Sequence, residues 1–145
     1  MIRERAGRVW PFATPPPAGG GLLWELGDIA ELPGMRAELR RHLSGAGPAG
    51  ADPADLRDRL ILALDEMASN ALRHGGGGVR ATVREAGAAY LVEVSDRAVT
   101  TPPTPAVDRD PSEGGLGLYL IAELATEHGW YVRAGTKYVW ALLPR

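Results

Sequence analysis

Three polar residues recur at intervals of four within one helix-like stretch, residues 60–75. They are Glu66, Asn70 and His74. Residues four apart lie one above the other on a helix, with about 6 Å between their Cβ atoms. An aligned carboxylate, amide and imidazole beside an apolar face are more than a purely structural helix needs. Because a helical ExxxN pair is also common on solvated faces, the line predicts a site only if other segments complete it.

Two further segments carry residues suited to a ligand with amine and phosphate groups. Asp96 ends an apolar strand-like run, where its carboxylate can accept a hydrogen bond from an exocyclic amine; the alternative is an ordinary turn residue. Gly114–Gly117 open a helix, where glycines and free N–H groups favour a phosphate; the alternative is a flexible helix entry. Thr136, on the last turn, can support the same ligand edge with its hydroxyl. The glycine spacing matches neither the Rossmann nor the Walker pattern.

Hydrophobic periodicity indicates the elements that must position these residues. It predicts strands at 22–26, 79–85, 90–95, 130–133 and 138–143, and helices at 33–43, from Asp52 to His74, and from Gly114–Gly117 to Ala125. Leu60, Leu64, Met67 and Ala71 recur at helical spacing and predict the buried face of the second helix. Strands bunched in this order favour an α+β sandwich with helices on one face of the sheet.

Composition narrows the class of protein. The 145 residues fit one domain, and residues 1–21, rich in proline and glycine, are predicted to be a flexible leader. The net charge of -2 gives no electrostatic reason to expect nucleic acid or an anionic membrane. No cysteine is present, which excludes disulfides and thiolate catalysis. The sequence contains neither a signal peptide nor an apolar run of membrane-spanning length, and we expect a cytoplasmic protein.

Taken together and in order, four segments resemble the Bergerat-fold ATP-binding family. They are DEMASNALRHG at 65–75, VEVSD at 92–96, EGGLGLYLIAELA at 113–125 and GTKYVWALLP at 135–144. The sequence is most similar to the small anti-sigma-factor serine/threonine kinases and to related single-domain actinobacterial proteins. The resemblance implies a histidine kinase-like ATP-binding domain over 22–145. Its fold would be a two-layer α+β sandwich, with a mixed or antiparallel sheet covered on one face by three helices.

The resemblance also implies a role for each matched residue. Glu66 matches the general base, and Asn70 matches the ligand of a Mg²⁺ ion that bridges the nucleotide phosphates. Asp96 matches the acid that recognises adenine, and Thr136 the threonine that assists it. His74 matches a position without a catalytic assignment, and we interpret it as structural.

The phosphate-binding segment and the lid complete the implied site. Gly115 and Gly117, with Leu116 between them, match the residues that contact the phosphates, and residues 97–113 match a mobile lid over ATP. Two features depart from the family. The wider family has DxGxG after the acid, whereas Ala98 stands at the first of those glycines here. The lid is also short and rich in proline.

The leading hypothesis is an ATP- and Mg²⁺-dependent kinase of the anti-sigma-factor type. It would bind a sigma factor or its antagonist and phosphorylate a serine or threonine of that antagonist. The alternative is a non-catalytic module that binds nucleotide or a protein partner. A histidine-kinase catalytic domain acting in trans is a weaker third hypothesis. A homodimer is a further option: Arg36, Arg40 and Arg41 form either a solvated strip or a docking surface on the first helix.

Overall fold

Within the described residues, five strands form one sheet and three α-helices pack against it. The computed structural model describes residues 10–44, 53–103 and 116–145. The elements are β1 (Gly21–Leu26), a 3-10 helix (Ile29–Glu31), α1 (Leu32–Ser44), α2 (Pro53–His74), β2 (Val79–Ala86), β3 (Ala89–Asp96), α3 (Leu116–Leu124), β4 (Glu127–Arg133) and β5 (Thr136–Pro144). The predicted α+β sandwich is confirmed. Asp52, where the second helix is expected to begin, lies outside the described residues.

The sheet is antiparallel throughout, with strand order β1-β2-β3-β5-β4. Of the two alternatives, a mixed or an antiparallel sheet, the chain therefore adopts the second. The β4–β5 hairpin turns at Ala134 and Gly135, which both have positive φ angles, 52° and 77°. A two-residue turn of this kind matches the right-handed twist of the flanking strands.

Alternation along the strands divides the sheet into two faces, here called the helix-covered face and the open face. On the helix-covered face, buried aliphatic side chains from β2, β3 and β5 meet the helices: Val79, Ala81, Val83, Val92, Val94, Val139, Ala141 and Leu143. The apolar series predicted on α2 is buried against them, from Leu60 to Ala71. The helical periodicity thus identified the face of α2 that packs on the sheet.

Residues 10–20 run from β4 to the start of β1 and are held by backbone hydrogen bonds at both ends. Ala13 N donates to Trp130 O at 2.9 Å, and Gly19 N donates to Glu85 O at 2.7 Å. Because these bonds join the segment to opposite parts of the sheet, residues 10–20 act as a strap.

Side chains anchor the same strap. Trp10 is only 1% exposed, and Trp140, on the open face, donates its indole N–H to Ala13 O at 2.8 Å. Part of the predicted leader therefore packs against the domain. Residues 1–9 of that leader lie outside the described residues.

Candidate functional site

Glu66 and Asn70 occupy successive turns of α2 and are both half-buried. The Glu66 carboxylate lies against Gly117 near the start of α3, so closely that a Cβ at Gly117 would overlap it. Only glycine permits this approach without a displacement. His74, one turn beyond Asn70, is exposed. Two members of the polar line are therefore partly buried by the fold, and the third faces solvent.

The surroundings of Glu66 favour a protonatable carboxylate. Burial raises the pKa of Glu66, the Asp65 carboxylate raises it further, and Arg73 lowers it. Asp65 itself accepts a 2.7 Å hydrogen bond from Arg36 Nη1 of α1. Arg36 is therefore engaged within the domain and does not belong to a wholly solvated strip. A carboxylate with a raised pKa is better suited to accept a proton near neutral pH.

Asp96 ends β3 on the helix-covered face and is only 2% exposed. The end of α2 abuts it: a Cβ at Gly75 would lie 2.7 Å from Asp96 Cγ. The chain can turn here because Gly75 N donates to Ala71 O at 2.7 Å and closes the helix. The need for glycine at this position comes from close packing, since Gly75 does not have a positive φ.

The two carboxylate oxygens of Asp96 have different environments. Oδ1 accepts the backbone N–H of Ala98 at 2.7 Å, the local turn that aspartate side chains often stabilise. Oδ2 lies 3.6 Å from Nζ of Lys137 on β5. Lys137 is 6% exposed and donates to Thr101 O at 2.8 Å. A buried opposite charge thus accompanies the carboxylate that the sequence singled out.

Asn70 and Asp96 line one small cavity between α2, α3 and the sheet. Its other walls are mainly apolar and include Lys137: Met67, Ala71, Val94, Pro103, Leu118, Lys137 and Val139. The cavity measures about 10 Å³. Pro103, buried at the end of the described part of the 97–103 loop, closes one side. The predicted cation ligand and the predicted base-recognition acid are therefore brought together, with Glu66 one turn away.

Thr136 is placed on the other face of the sheet. In the β3–β5 register, Asp96 is opposite Lys137, and successive residues of a strand point to opposite faces. Lys137 therefore shares the helix-covered face with Asp96, whereas Thr136 lines a groove with Ser95 and Tyr138 on the open face. The sequence analysis missed Lys137. The alternation of buried Val139, Ala141 and Leu143, extended back by two residues, was the signal that could have found it.

The open-face groove is larger than the helix-side cavity, at about 530 Å³. Its lining includes Glu25, Arg80 and Arg97 but none of Glu66, Asn70, Asp96 or Gly117. The larger space is therefore the open-face groove, whereas the predicted Asn70 and Asp96 line the smaller helix-side cavity. We take the small cavity as the candidate site because Asn70 and Asp96 line it and Glu66 lies one helical turn from Asn70.

Of the remaining predicted residues, Leu116 and Gly117 belong to α3. Gly115 lies outside the described residues, as does most of the predicted lid. Leu116 is the first residue of α3, and Gly117, the next, is buried. The described part of the segment predicted to bind phosphate thus begins at a helix N-terminus, where backbone N–H groups favour an anion.

Two features are absent from the described residues, a metal-binding cluster and a membrane-spanning helix. No group of three His, Cys, Asp or Glu side chains in those ranges is placed to hold a metal ion. A cation near Asn70 would therefore need oxygen ligands from elsewhere, such as nucleotide phosphates. Likewise, none of the helices in the described ranges is long and apolar enough to cross a membrane.

Comparison with known proteins adds a family and a fold. A model of the histidine kinase-like ATPase domain matches residues 27–141. The solved RsbU and RsbW domains of Rv1364c from Mycobacterium tuberculosis align over 87% of this chain with 23% identity and a TM-score of 0.59. This chain spans 32% of that one. The histidine kinase AdeS of Acinetobacter baumannii aligns over 85% of this chain and 67% of its own, with 14% identity and a TM-score of 0.45. No curated protein gave a significant match.

Proposed function

Because the chain belongs to the histidine kinase-like ATPase domain family, we propose that it binds ATP in the cavity between Asn70 and Asp96. In this proposal it is a serine/threonine kinase of the anti-sigma-factor type. One observation carries the proposal: Glu66, Asn70, Asp96 and Gly117 converge where α2, α3 and the end of β3 meet. This convergence joins residues from three distant parts of the sequence.

Each residue supplies a different part of nucleotide binding in this proposal. Asp96 accepts a hydrogen bond from the exocyclic amine of adenine through Oδ2, since Oδ1 is taken by Ala98. Gly117, and Gly115 and Leu116 before it, let the phosphates approach the N-terminus of α3. The base must displace the 101–103 segment, because about 10 Å³ holds no more than a water molecule.

Magnesium fits the same site through Asn70. An amide oxygen is a hard ligand of the kind that Mg²⁺ prefers, and Mg²⁺ usually takes its remaining ligands from phosphates and water. Asn70 is half-buried on the cavity wall. The bound ion would neutralise phosphate charge, which is the main electrostatic demand of phosphoryl transfer.

Glu66 is the proposed general base. It would accept the proton of the attacking serine or threonine hydroxyl while the γ-phosphoryl group passes to that oxygen and ADP leaves. Its raised pKa and its position one helical turn from Asn70 support this role. Gly117 keeps α3 close to the carboxylate and so restricts the water around it.

The proposed partner is a protein antagonist or a sigma factor, in line with the resemblance to anti-sigma-factor kinases. We expect such a pair in the cytoplasm, where ATP is available. Direct contact with nucleic acid or a membrane is not part of the proposal, since the net charge is -2. A homodimer is the second proposed assembly.

Two experiments test the proposal, one of ATP binding and one of phosphoryl transfer. Calorimetry of ATP with and without Mg²⁺ should give a dissociation constant that Asn70→Ala weakens only in the presence of Mg²⁺. Incubation with [γ-³²P]ATP, Mg²⁺ and the purified antagonist should label the antagonist, and Glu66→Gln should abolish labelling while leaving ATP affinity within about threefold. Equal labelling by the variant would contradict the assignment of the base.

Two observations favour the alternative, a module without catalysis. The cavity beside Asp96 is small, and Ala98 stands where the wider family has a glycine. A ligand that binds only the folded state raises the melting temperature. If ATP and ADP with Mg²⁺ leave it unchanged while a protein partner raises it, the chain binds partners alone.

A further inference from the structure

Lys137 is the single lysine of the chain, which also has fifteen arginines. It is 6% exposed on the helix-covered face of β5, next to apolar core residues such as Val139. Lysine is rarely buried to this degree unless its charge is compensated. Solubility does not account for an ammonium that is buried at the wall of the cavity, so its position needs another explanation.

The contacts of this ammonium leave hydrogen-bonding capacity directed at the cavity. Nζ donates to Thr101 O at 2.8 Å. Its distance to Asp96 Oδ2, 3.6 Å, exceeds the range of a direct hydrogen bond. An ammonium has three protons, and an ionised carboxylate oxygen accepts more than one bond. Lys137 and Asp96 therefore present a donor and an acceptor side by side.

That arrangement complements one edge of adenine. The edge farthest from the sugar carries the exocyclic amine, a donor, next to ring nitrogen N1, an acceptor. A base that enters with the sugar outward, toward Asn70 and the N-terminus of α3, meets the buried Asp96–Lys137 pair with this edge. N7, the other ring acceptor beside the amine, lies nearer the sugar.

We propose that Lys137 recognises the base by donating a hydrogen bond to adenine N1 while Asp96 accepts one from the exocyclic amine. The inference rests on the proposed function, because it concerns the same cavity. Lys137 exchanges one acceptor for another: the Thr101 carbonyl gives way as segment 101–103 moves aside, and N1 takes its place. The ammonium has a hydrogen-bond acceptor both before and after the nucleotide binds. The exchange therefore avoids the cost of a buried, unsatisfied donor.

The compact shape of lysine matters for this role. An arginine head group is a planar fork of five N–H donors, whereas an ammonium is a small point donor. Because Lys137 forms part of the cavity wall beside Asp96, the larger head group of an arginine would extend into the space that the adenine edge must occupy. Lys137→Arg therefore keeps the charge and should still lose base recognition.

The test compares nucleotide analogues by calorimetry, with ATP, 1-deaza-ATP and 7-deaza-ATP as ligands. In the wild type, loss of the N1 acceptor should weaken binding roughly tenfold to a hundredfold, the usual size for a hydrogen bond from a charged donor. The 7-deaza analogue should bind as ATP does. Lys137→Met should bind ATP as weakly as the wild type binds 1-deaza-ATP and should no longer distinguish the two. Arg80→Met, which removes an exposed charge from the open face, should retain the full difference.

A second measurement needs no variant and so is independent of its folding. Since the chain has one lysine, ¹⁵N-lysine labelling gives one Nζ signal. That signal should shift with ATP and 7-deaza-ATP and shift differently with 1-deaza-ATP. Equal binding of ATP and 1-deaza-ATP by the wild type, or the same penalty in Lys137→Met, would overturn the inference and leave ATP binding intact. No binding of any nucleotide would overturn the proposed function itself.

Discussion

A methyl group at Gly75 tests whether the end of α2 positions Asp96. A Cβ there would lie 2.7 Å from Asp96 Cγ, 2.8 Å from Asp96 Cβ and 2.6 Å from Ala71 O. Carbon atoms in favourable contact are about 3.5–4.0 Å apart, so an atom must move by the better part of an ångström. Asp96 has little freedom to do so, because it is 2% exposed and bonded to Ala98. We therefore expect Gly75→Ala to push α2 away from β3.

Gly76→Ala is the matched control. A Cβ at Gly76 would have its nearest neighbour, Arg97 Cβ, at 3.5 Å, an ordinary contact. Both substitutions lower the conformational entropy of the unfolded chain, which raises the free energy of unfolding by about 0.4–1 kcal/mol. Overpacking costs about 1–3 kcal/mol at Gly75 alone. Since the gain in the unfolded state cancels between the variants, Gly75→Ala should be less stable than Gly76→Ala by about 1–3 kcal/mol.

Urea unfolding measures this difference, and calorimetry measures its consequence for ligand binding. Displacement of Asp96 from the cavity should weaken ATP binding by Gly75→Ala, whereas Gly76→Ala should bind as the wild type does. Equal stability of the two variants, with equal ATP affinity, would refute the reasoning that close packing at Gly75 sets the position of the Asp96 carboxylate.

Three further predictions concern the strap, the β5 register and a buried carboxylate. Trp10 is 1% exposed, so Trp10→Ala should lower the free energy of unfolding in urea by about 3–5 kcal/mol. Phe12 is 67% exposed, and Phe12→Ala should lower it far less. Similar losses in the two variants would argue against a docked strap. Thr136→Val should leave ATP affinity unchanged, and a tenfold loss by calorimetry would place Thr136 at the base after all. Burial raises the pKa of Glu93 despite its bond from Tyr131. The folded state therefore binds more protons between the unfolded and folded pKa values, and stability falls as pH rises through that window. The urea midpoint of Glu93→Gln should depend less on pH from 4 to 7, and identical profiles would contradict this origin.

Local pattern predicted most of the fold. The spacing of Leu60, Leu64, Met67 and Ala71 identified the buried face of α2, because burial of one helical stripe leaves a 3.6-residue period in the sequence. Alternating residues likewise predicted the strand β2. The strap was harder to foresee. Residues 10–20 carry no periodicity, and they dock through backbone bonds and a few aromatic side chains.

The candidate site was predictable as a set of segments and less so as a set of contacts. Order along the chain indicated that Glu66, Asn70 and Asp96 belong together. Which residue of β5 joins them depends on strand register, and a shift by one residue exchanges the two faces of the sheet. That register is fixed by long-range pairing of Asp96 with Lys137, a contact that local sequence does not encode. For this reason Thr136 was singled out and Lys137 was missed.

Helix α2 links stability to the proposed chemistry. Its buried stripe fixes the helix on the sheet, and the same packing brings Glu66 against Gly117 and Gly75 against Asp96. Burial raises the pKa of Glu66, so the ionised carboxylate destabilises the fold near neutral pH relative to a neutral side chain. Glu66→Gln should therefore raise the melting temperature at pH 7 and lose phosphoryl transfer, with a smaller difference in melting temperature at pH 4, where the carboxylate is protonated. A variant less stable than the wild type at pH 7 would show that the carboxylate stabilises the fold, and the coupling between burial and basicity would have to be abandoned.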